Sequence, residues 1–231
     1  MGIKPLEKTL LAILIAITLT PAAHMTATPS RYWLTYSWPT DPLGIKDEWG
    51  IYRTDWTSYT PWIVYESLGE YEDLAATWGK WFKQNYPDRV ECAKRIFEFI
   101  RDHIHYTTDI ELAGLPEWAQ NADETAYSIA WNGYQWYGDC EDYSIILAAM
   151  YKAAGYRVAL IGILFDEGGH MAVLLHLPEY ASQVNVNWKL YGEPGWIWLE
   201  ATSPNNPFGY TPIEAYILIQ QGAALILTYE I

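Results

Sequence analysis

Apolar side chains recur every three or four positions through the first part of the chain, and they form short continuous runs in the last part. The first spacing is that of one buried helical face, and the second is typical of buried strands. The spacing predicts helices at Glu66–Tyr86, Arg89–His105, Asp123–Trp131 and Asp139–Gly155. The runs predict strands at Arg157–Phe165, Met171–Leu177, Trp196–Glu200, Ile213–Ile219 and Ala223–Tyr229.

The helix that ends near Gly155 organises the rest of the chain. Its predicted buried face consists of Tyr143, Ile146, Leu147, Met150, Tyr151 and Ala154. Asp139 can serve as its N-cap, with Asp142 in the capping-box position three residues later. Gly155 stands where a helix end favours a left-handed residue. Cys140 is therefore predicted to lie in the first turn of a buried helix.

The predicted position of Cys140 suits a reactive thiol. Free N–H groups and the positive end of the helix dipole favour a thiolate there. Glu141 and Asp142 oppose it, so the helix end alone does not ensure an ionised thiol, and a histidine partner would favour the thiolate more strongly. His170 begins the strand after the turn at residues 166–169, and Glu200 ends the next strand. These residue types can form a nucleophile, a base and a group that orients the base.

Three short motifs connect these residues to a known family. They are Gly-Asp-Cys-Glu-Asp-Tyr at 138–143, Gly-His-Met-Ala-Val at 169–173 and Trp-Leu-Glu-Ala-Thr at 198–202. Together they resemble the transglutaminase-like superfamily, particularly its archaeal and bacterial cysteine peptidase members. The resemblance covers roughly residues 85–203, and the upstream segment 99–106 resembles the helix before the family core.

The resemblance implies an α+β fold with a papain-like core, in which a nucleophile helix packs on an antiparallel sheet. It implies a catalytic triad of Cys140, His170 and Glu200. The third member is usually Asp, so Glu200 departs from the family pattern. Acyl transfer also needs oxyanion donors. The Cys140 backbone N–H is one candidate, and the side chain of Gln135 or Trp136 is a candidate for the second.

The N-terminus has the pattern of an export signal. Lys4 and Lys8 precede an apolar run at residues 9–19, and small residues follow. The run is shorter than the ~20 residues of a comfortable membrane span. We expect residues 1–27 to be a cleaved signal peptide or a retained N-terminal membrane anchor. The protein would then be extracytoplasmic, either secreted or held on the outer face of the membrane.

Two further segments complete the predicted domain organisation. Residues 28–84 form an aromatic-rich extension, and residues 85–231 form the core domain. The aromatic side chains of the extension either cover the core or line a cleft for substrate. The chain has a net charge of −14. This charge argues against binding to nucleic acid, whose phosphates need a basic surface.

The two cysteines, Cys92 and Cys140, are predicted to be free thiols. An exported protein could join them in a disulfide, but that bond would consume the nucleophile. A zinc site of Cys140, His170 and Glu200 is the weaker alternative, because no second Cys or His lies close by in sequence. His103 and His105 are two residues apart and do not share a helix face. No metal or cofactor is expected.

Three functions remain open at this stage. The first is thiol-dependent hydrolysis of amide bonds in a protein or peptide substrate. The second is cross-linking, in which an amine replaces water in the second step. The third is a non-catalytic binding module on the same scaffold, because a fold does not by itself establish a function.

Overall fold

A computed structural model describes residues 53, 56–69, 72–132, 135–165, 168–222 and 224–231. Its helices are α1 (Trp56–Glu66), α2 (Leu74–Asn85), α3 (Arg89–His103), α4 (Asp109–Ala113), α5 (Ala122–Trp131), α6 (Cys140–Ala153) and α7 (Ile213–Gln220). Its strands are β1 (Ile104–Tyr106), β2 (Trp136–Gly138), β3 (Val158–Phe165), β4 (Gly168–His176), β5 (Trp188–Leu190), β6 (Glu193–Leu199) and β7 (Leu225–Glu230).

An antiparallel sheet of five strands forms one layer, in the order β5-β6-β4-β3-β7. Its central strands β3 and β4 are nearly continuous in buried residues, which is the expected composition of strands covered on both faces. The short strands β1 and β2 pair in parallel as a separate ribbon, with Tyr106 opposite Gly138. This ribbon delivers the chain to the start of α6. The fold is therefore the α+β arrangement that the resemblance implies.

Helix α6 is the centre of the helical layer. It packs against α1, α2, α3 and α5 and against strand β4. Every residue from Glu141 to Tyr151 is buried, so this stretch of the helix has no solvent face, and exposure begins at Lys152 in its last turn. The sequence pattern predicted one buried face, but neighbours surround this helix on all sides. Gly155 adopts φ +86° after its end, as predicted.

Close packing of α2 on α6 depends on a glycine. A Cβ atom at Gly79 would lie 2.2 Å from the carbonyl oxygen of Met150. Only a residue without a side chain allows the two backbones to approach this closely. Helices α1 and α2, which precede the predicted core domain, are thus in direct contact with the nucleophile helix.

The segment Ile213–Gln220 forms a helix, so the strand predicted at Ile213–Ile219 is wrong. A short apolar run does not distinguish a buried strand from a helix. Ala215 and Ile219 are four residues apart and pack against the sheet's apolar cluster, which is a helical spacing. The helix predicted at Glu66–Tyr86 begins later than predicted, because α1 ends at Glu66 and α2 begins only at Leu74.

Several predictions lie wholly or mostly outside the described residues. They concern the signal or anchor at 1–27, most of the aromatic segment of the 28–84 extension, and part of the turn at 166–169. Within the described ranges, no helix is both long enough and apolar enough to cross a membrane. Cys92 and Cys140 are both free thiols, as predicted. Cys92 is buried in α3 with 2% of its surface exposed.

Candidate active site

Three separate elements bring Cys140, His170 and Glu200 together. Cys140 is the first residue of α6, His170 lies in β4, and Glu200 directly follows β6. Strand β4 is a neighbour of both elements, because it pairs with β6 and packs against α6. His170 Nε2 lies 2.6 Å from Glu200 Oε2. Cys140 is close enough to the same imidazole for its side chain to raise the pKa of His170, and Nδ1 is the ring nitrogen that does not contact Glu200.

Glu200 is held by more than its histidine. It is 3% exposed, and its Oε2 also accepts from Trp198 Nε1 at 3.3 Å. Its Oε1 accepts from Thr202 Oγ1 at 2.5 Å. Burial would raise the pKa of Glu200, but the bond and charge of His170, with the bonds from Thr202 and Trp198, lower it below its ordinary value. The carboxylate is therefore ionised and fixed in one orientation.

The imidazole of His170 is strongly biased toward its charged form. Burial lowers the pKa of His170, but hydrogen bonds to Cys140 and Glu200 and their charges outweigh burial and raise it to about 10. Its ordinary value is 6.5. A protonated imidazole beside a cysteine is the partner that a thiolate nucleophile requires.

Cys140 has a second close neighbour. Its Sγ lies 3.4 Å from Glu141 Oε2, and Glu141 is 1% exposed. Burial, a hydrogen bond with Asp139 and the nearby Cys140 raise the pKa of Glu141 well above its ordinary range. A protonated Glu141 carries no charge, so it does not oppose a thiolate in the way that the sequence suggested.

Glu141 belongs to a group of three carboxyls beside the thiol, of which Asp109 and Glu141 are buried and Glu117 is half-buried. Carboxyl oxygens of Asp109, Glu117 and Glu141 lie within 4.8 Å of one another. Burial and the charge of Asp139 raise the pKa of Asp109 to about 7, although bonds with Trp118 and Glu141 lower it. Oxygens at this spacing can share protons or bind a hard cation. The raised pKa values of Asp109 and Glu141 show that they hold protons readily at neutral pH.

The candidate oxyanion donors occupy different environments. Gln135 is exposed and directly precedes β2. Trp136 is half-buried in β2, and its indole Nε1 donates to Gln120 Oε1 at 2.6 Å. In this arrangement the indole proton is already engaged, so Trp136 would have to exchange that bond to reach an oxyanion. The helix start places the Cys140 backbone N–H in the first turn, where N–H groups lack intrahelical acceptors.

Several residues around the site were not found from the sequence. Trp198 and Thr202 each stand two positions from Glu200. The period of a strand could have suggested a shared face for Trp198 and Glu200. Gln120 lies 22 residues before Asp142, to which it donates from both its backbone and its side chain. No local pattern marks such a contact, because it joins segments that are distant along the chain.

Comparison with known proteins gives structural neighbours and a family. A crystal structure described as a "putative protease" from Parabacteroides distasonis matches with a TM-score of 0.44 and 14% identity. The match covers 74% of this chain but only 29% of the other, so this chain corresponds to less than a third of that protein's length. No curated protein matches.

The second comparison is with protein-family sequences. The model of the transglutaminase-like superfamily core matches residues 76–204, which is more than half of the sequence. The matched region begins inside α2 and contains Cys140, His170 and Glu200. The chain therefore belongs to the transglutaminase-like superfamily.

Proposed function

We propose that this protein is an exported enzyme that hydrolyses amide bonds in proteins or peptides by thiol-dependent acyl transfer. Cys140 is the nucleophile, His170 the acid and base, and Glu200 the residue that orients the imidazole. The observation that carries the proposal is the 2.6 Å bond between His170 Nε2 and the buried Glu200 carboxylate, and the effect of the nearby Cys140 side chain on the pKa of His170 supports it.

The first step uses the thiolate–imidazolium pair. Cys140 Sγ attacks the carbonyl carbon of the amide, and the carbonyl oxygen becomes an oxyanion near the start of α6. The Cys140 N–H and the helix dipole stabilise this developing charge. The His170 imidazolium then gives its proton to the leaving amine, and the C–N bond breaks. The products of this half-reaction are a free amine and a thioester on Cys140.

The second step releases the acyl group. Neutral His170 takes a proton from water, and the hydroxide attacks the thioester carbonyl. The C–S bond breaks, the substrate's carboxyl product leaves, and the thiolate–imidazolium pair is restored. Through both steps Glu200 stays ionised and keeps the ring in one orientation, which preserves the geometry for each proton transfer.

Labelling tests the nucleophile directly. The protein is treated with 4-nitrophenyl acetate, the release of 4-nitrophenolate is followed, and the acetylated residue is mapped by mass. We expect acetylation at Cys140, which Cys140→Ala removes. Cys92→Ala is the matched control because Cys92 is the other thiol and lies buried in α3. Equal acetylation of the wild type and Cys140→Ala would refute the proposal.

Turnover tests the choice between water and amine. Peptide mixtures are incubated in H₂¹⁸O with a fluorescent primary amine, and the products are analysed by mass. Hydrolysis places ¹⁸O in new carboxyl groups, whereas cross-linking attaches the amine. We expect ¹⁸O incorporation that depends on Cys140. Amine incorporation without ¹⁸O would assign the protein to transamidation instead, and no Cys140-dependent product would favour a binding module.

A further inference from the structure

The side chain of Gln120 connects two segments that flank the nucleophile. Gln120 is 1% exposed and lies just before helix α5. Its Oε1 accepts from the Trp136 indole at 2.6 Å. Its Nε2 donates to the Tyr137 carbonyl at 3.0 Å and to Asp142 Oδ2 at 2.7 Å. Strand β2 and the first turn of α6 therefore meet at one amide.

The partners of this amide fix its orientation. A primary amide has two N–H donors and an acceptor oxygen, and the acceptor and both donors are used here. Rotating the amide by 180° would point its N–H₂ group at the Trp136 N–H and its oxygen at a carbonyl and a carboxylate. Each of those contacts would pair like with like, so only the observed orientation satisfies all of the groups.

Asp142 accepts hydrogen bonds from both the backbone and the side chain of Gln120. It is 0% exposed, and its Oδ1 accepts from the Gln120 backbone N–H at 2.6 Å. Its Oδ2 also accepts from the Asp139 N–H at 3.2 Å. Burial and the charges of Asp139 and Asp109 raise the pKa of Asp142 well above its ordinary range, although the bonds from Gln120 oppose that shift. Gln120 thus binds and fixes the carboxyl group that caps the nucleophile helix.

The fit around this carboxylate leaves little freedom. A Cβ atom at Gly138 would lie 2.5 Å from Asp142 Oδ2 and 2.8 Å from its Cβ. The backbone just before Cys140 is therefore packed against the same carboxylate that Gln120 holds. Cys140 lies between two restrained points, Gly138 on one side and Asp142 on the other.

We propose that Gln120 is a positioning residue for the nucleophile, since its buried amide holds both the strand that precedes Cys140 and the first turn of the helix that carries it. The proposal concerns the thiol of the proposed function and rests on that function. Gln120 acts through Asp142 and Trp136 and does not itself touch the thiol. A shift of about 1 Å at a nucleophile can cost ~10²-fold in rate. Loss of the amide is therefore expected to slow the acylation of Cys140 even in a protein that remains folded.

Two variants separate the two ends of the amide. Gln120→Leu removes every side-chain bond. Gln120→Glu keeps the shape and the acceptor for Trp136, but its ionised form donates nothing to Asp142. Its protonated form can donate to Asp142 again. Asn121→Leu is the matched control, because Asn121 is the adjacent residue, is 7% exposed, and bonds Glu66 and Ser67 instead of the nucleophile turn.

The rate of Cys140 acetylation by 4-nitrophenyl acetate is the main measurement. We expect Gln120→Leu to slow acetylation by roughly 10- to 100-fold. Asn121→Leu should keep a rate close to that of the wild type, and the melting temperatures of both variants are measured so that the rates are compared in folded protein. The ratio of the Gln120→Glu rate to the wild-type rate should rise as pH falls, because a proton bound between the introduced carboxyl and Asp142 restores the hydrogen bond that joins them. Equal rates for Gln120→Leu and Asn121→Leu, or a ratio that does not change with pH, would overturn the proposal.

A second measurement does not require acyl transfer. The indole N–H resonance of Trp136, assigned by its loss in Trp136→Phe, should move in Gln120→Leu and stay in place in Gln120→Glu. If the wild type is not acetylated at Cys140, the proposed function fails, and the alkylation rate of Cys140 by iodoacetamide replaces acetylation in the same comparison. An unchanged indole resonance in Gln120→Leu would then overturn the positioning role.

Discussion

Replacing Glu200 by Gln tests the electrostatic basis of the site with a minimal change in shape. The carboxylate is buried and lies 2.6 Å from His170 Nε2. An amide of the same size keeps the packing but removes the charge. Its N–H₂ group can also face the imidazole, and this contact favours a ring tautomer with the wrong nitrogen protonated.

The size of the effect follows from the kind of bond that is lost. Hydrogen bonds to charged groups contribute about 1.5–3 kcal/mol. At about 1.4 kcal/mol for each factor of ten, this corresponds to a fall of roughly 10- to 150-fold in acylation rate. The charge of Glu200 helps to raise the pKa of His170 to about 10. Without that charge the imidazolium is less stable, so a smaller fraction of His170 is protonated and able to stabilise a Cys140 thiolate.

The assay measures Cys140 alkylation by iodoacetamide across pH, together with acetylation by 4-nitrophenyl acetate. In Glu200→Gln the pH at which alkylation reaches half of its maximum should move upward, because a weaker imidazolium stabilises the thiolate less. Glu193→Gln is the matched control. Glu193 also faces a histidine on the same sheet, with Oε1 3.5 Å from His176 Nε2, but this pair lies outside the candidate site.

An unchanged alkylation profile and acetylation rate in Glu200→Gln would refute the reasoning. The same holds if Glu193→Gln lowers both rates as much as Glu200→Gln does, since the effect would then reflect general charge. Glu200→Asp adds a further comparison, because it retains the charge on a side chain that is shorter by one methylene. A rate between those of the wild type and Glu200→Gln is expected.

Three other changes test the packing and charge of the fold. Gly79→Ala should lower the free energy of unfolding by about 1–3 kcal/mol or more, because the new methyl group meets the Met150 carbonyl. Arg53→Ala should lower the free energy of unfolding by about 3–5 kcal/mol, since Arg53 pairs with the buried Glu66 at 3.6 Å. Denaturant unfolding measures the stability of both variants, and unfolding midpoints equal to that of the wild type would contradict these two predictions. Relative to Asp109→Asn, the wild type should lose stability as pH rises from 3.8 to about 7, because burial raises the pKa of Asp109 and the folded state binds its proton more tightly. A constant difference across that range would contradict this assignment.

The sequence was sufficient to predict the elements that carry the candidate triad. Local signals placed Cys140 at a helix start, since Asp139, Asp142 and Gly155 mark the two ends of that helix. Continuous apolar runs placed His170 in a strand and Glu200 at the end of another. These features are local, because a cap or a strand run involves residues that are close together in the chain.

The environment of the site could not be predicted in the same way. The burial of Glu141 and the contact of Gln120 with Asp142 depend on how distant segments pack. The run at 213–220 shows the same limit, because its helix is identified by contacts of Ala215 and Ile219 with the sheet. Local sequence patterns were therefore enough to predict the candidate reacting groups. The neighbours that determine their protonation are brought together by tertiary packing, which those patterns do not report.

Helix α6 is packed against other elements along most of its length, so the position of the Cys140 thiol depends on the integrity of the whole core. Its backbone amides have no route to solvent short of cooperative opening, so they should be among the slowest in the protein to exchange with deuterium. Heat inactivation and loss of tertiary structure should then follow a single curve. No partially unfolded form of the protein would then keep Cys140 in its native position.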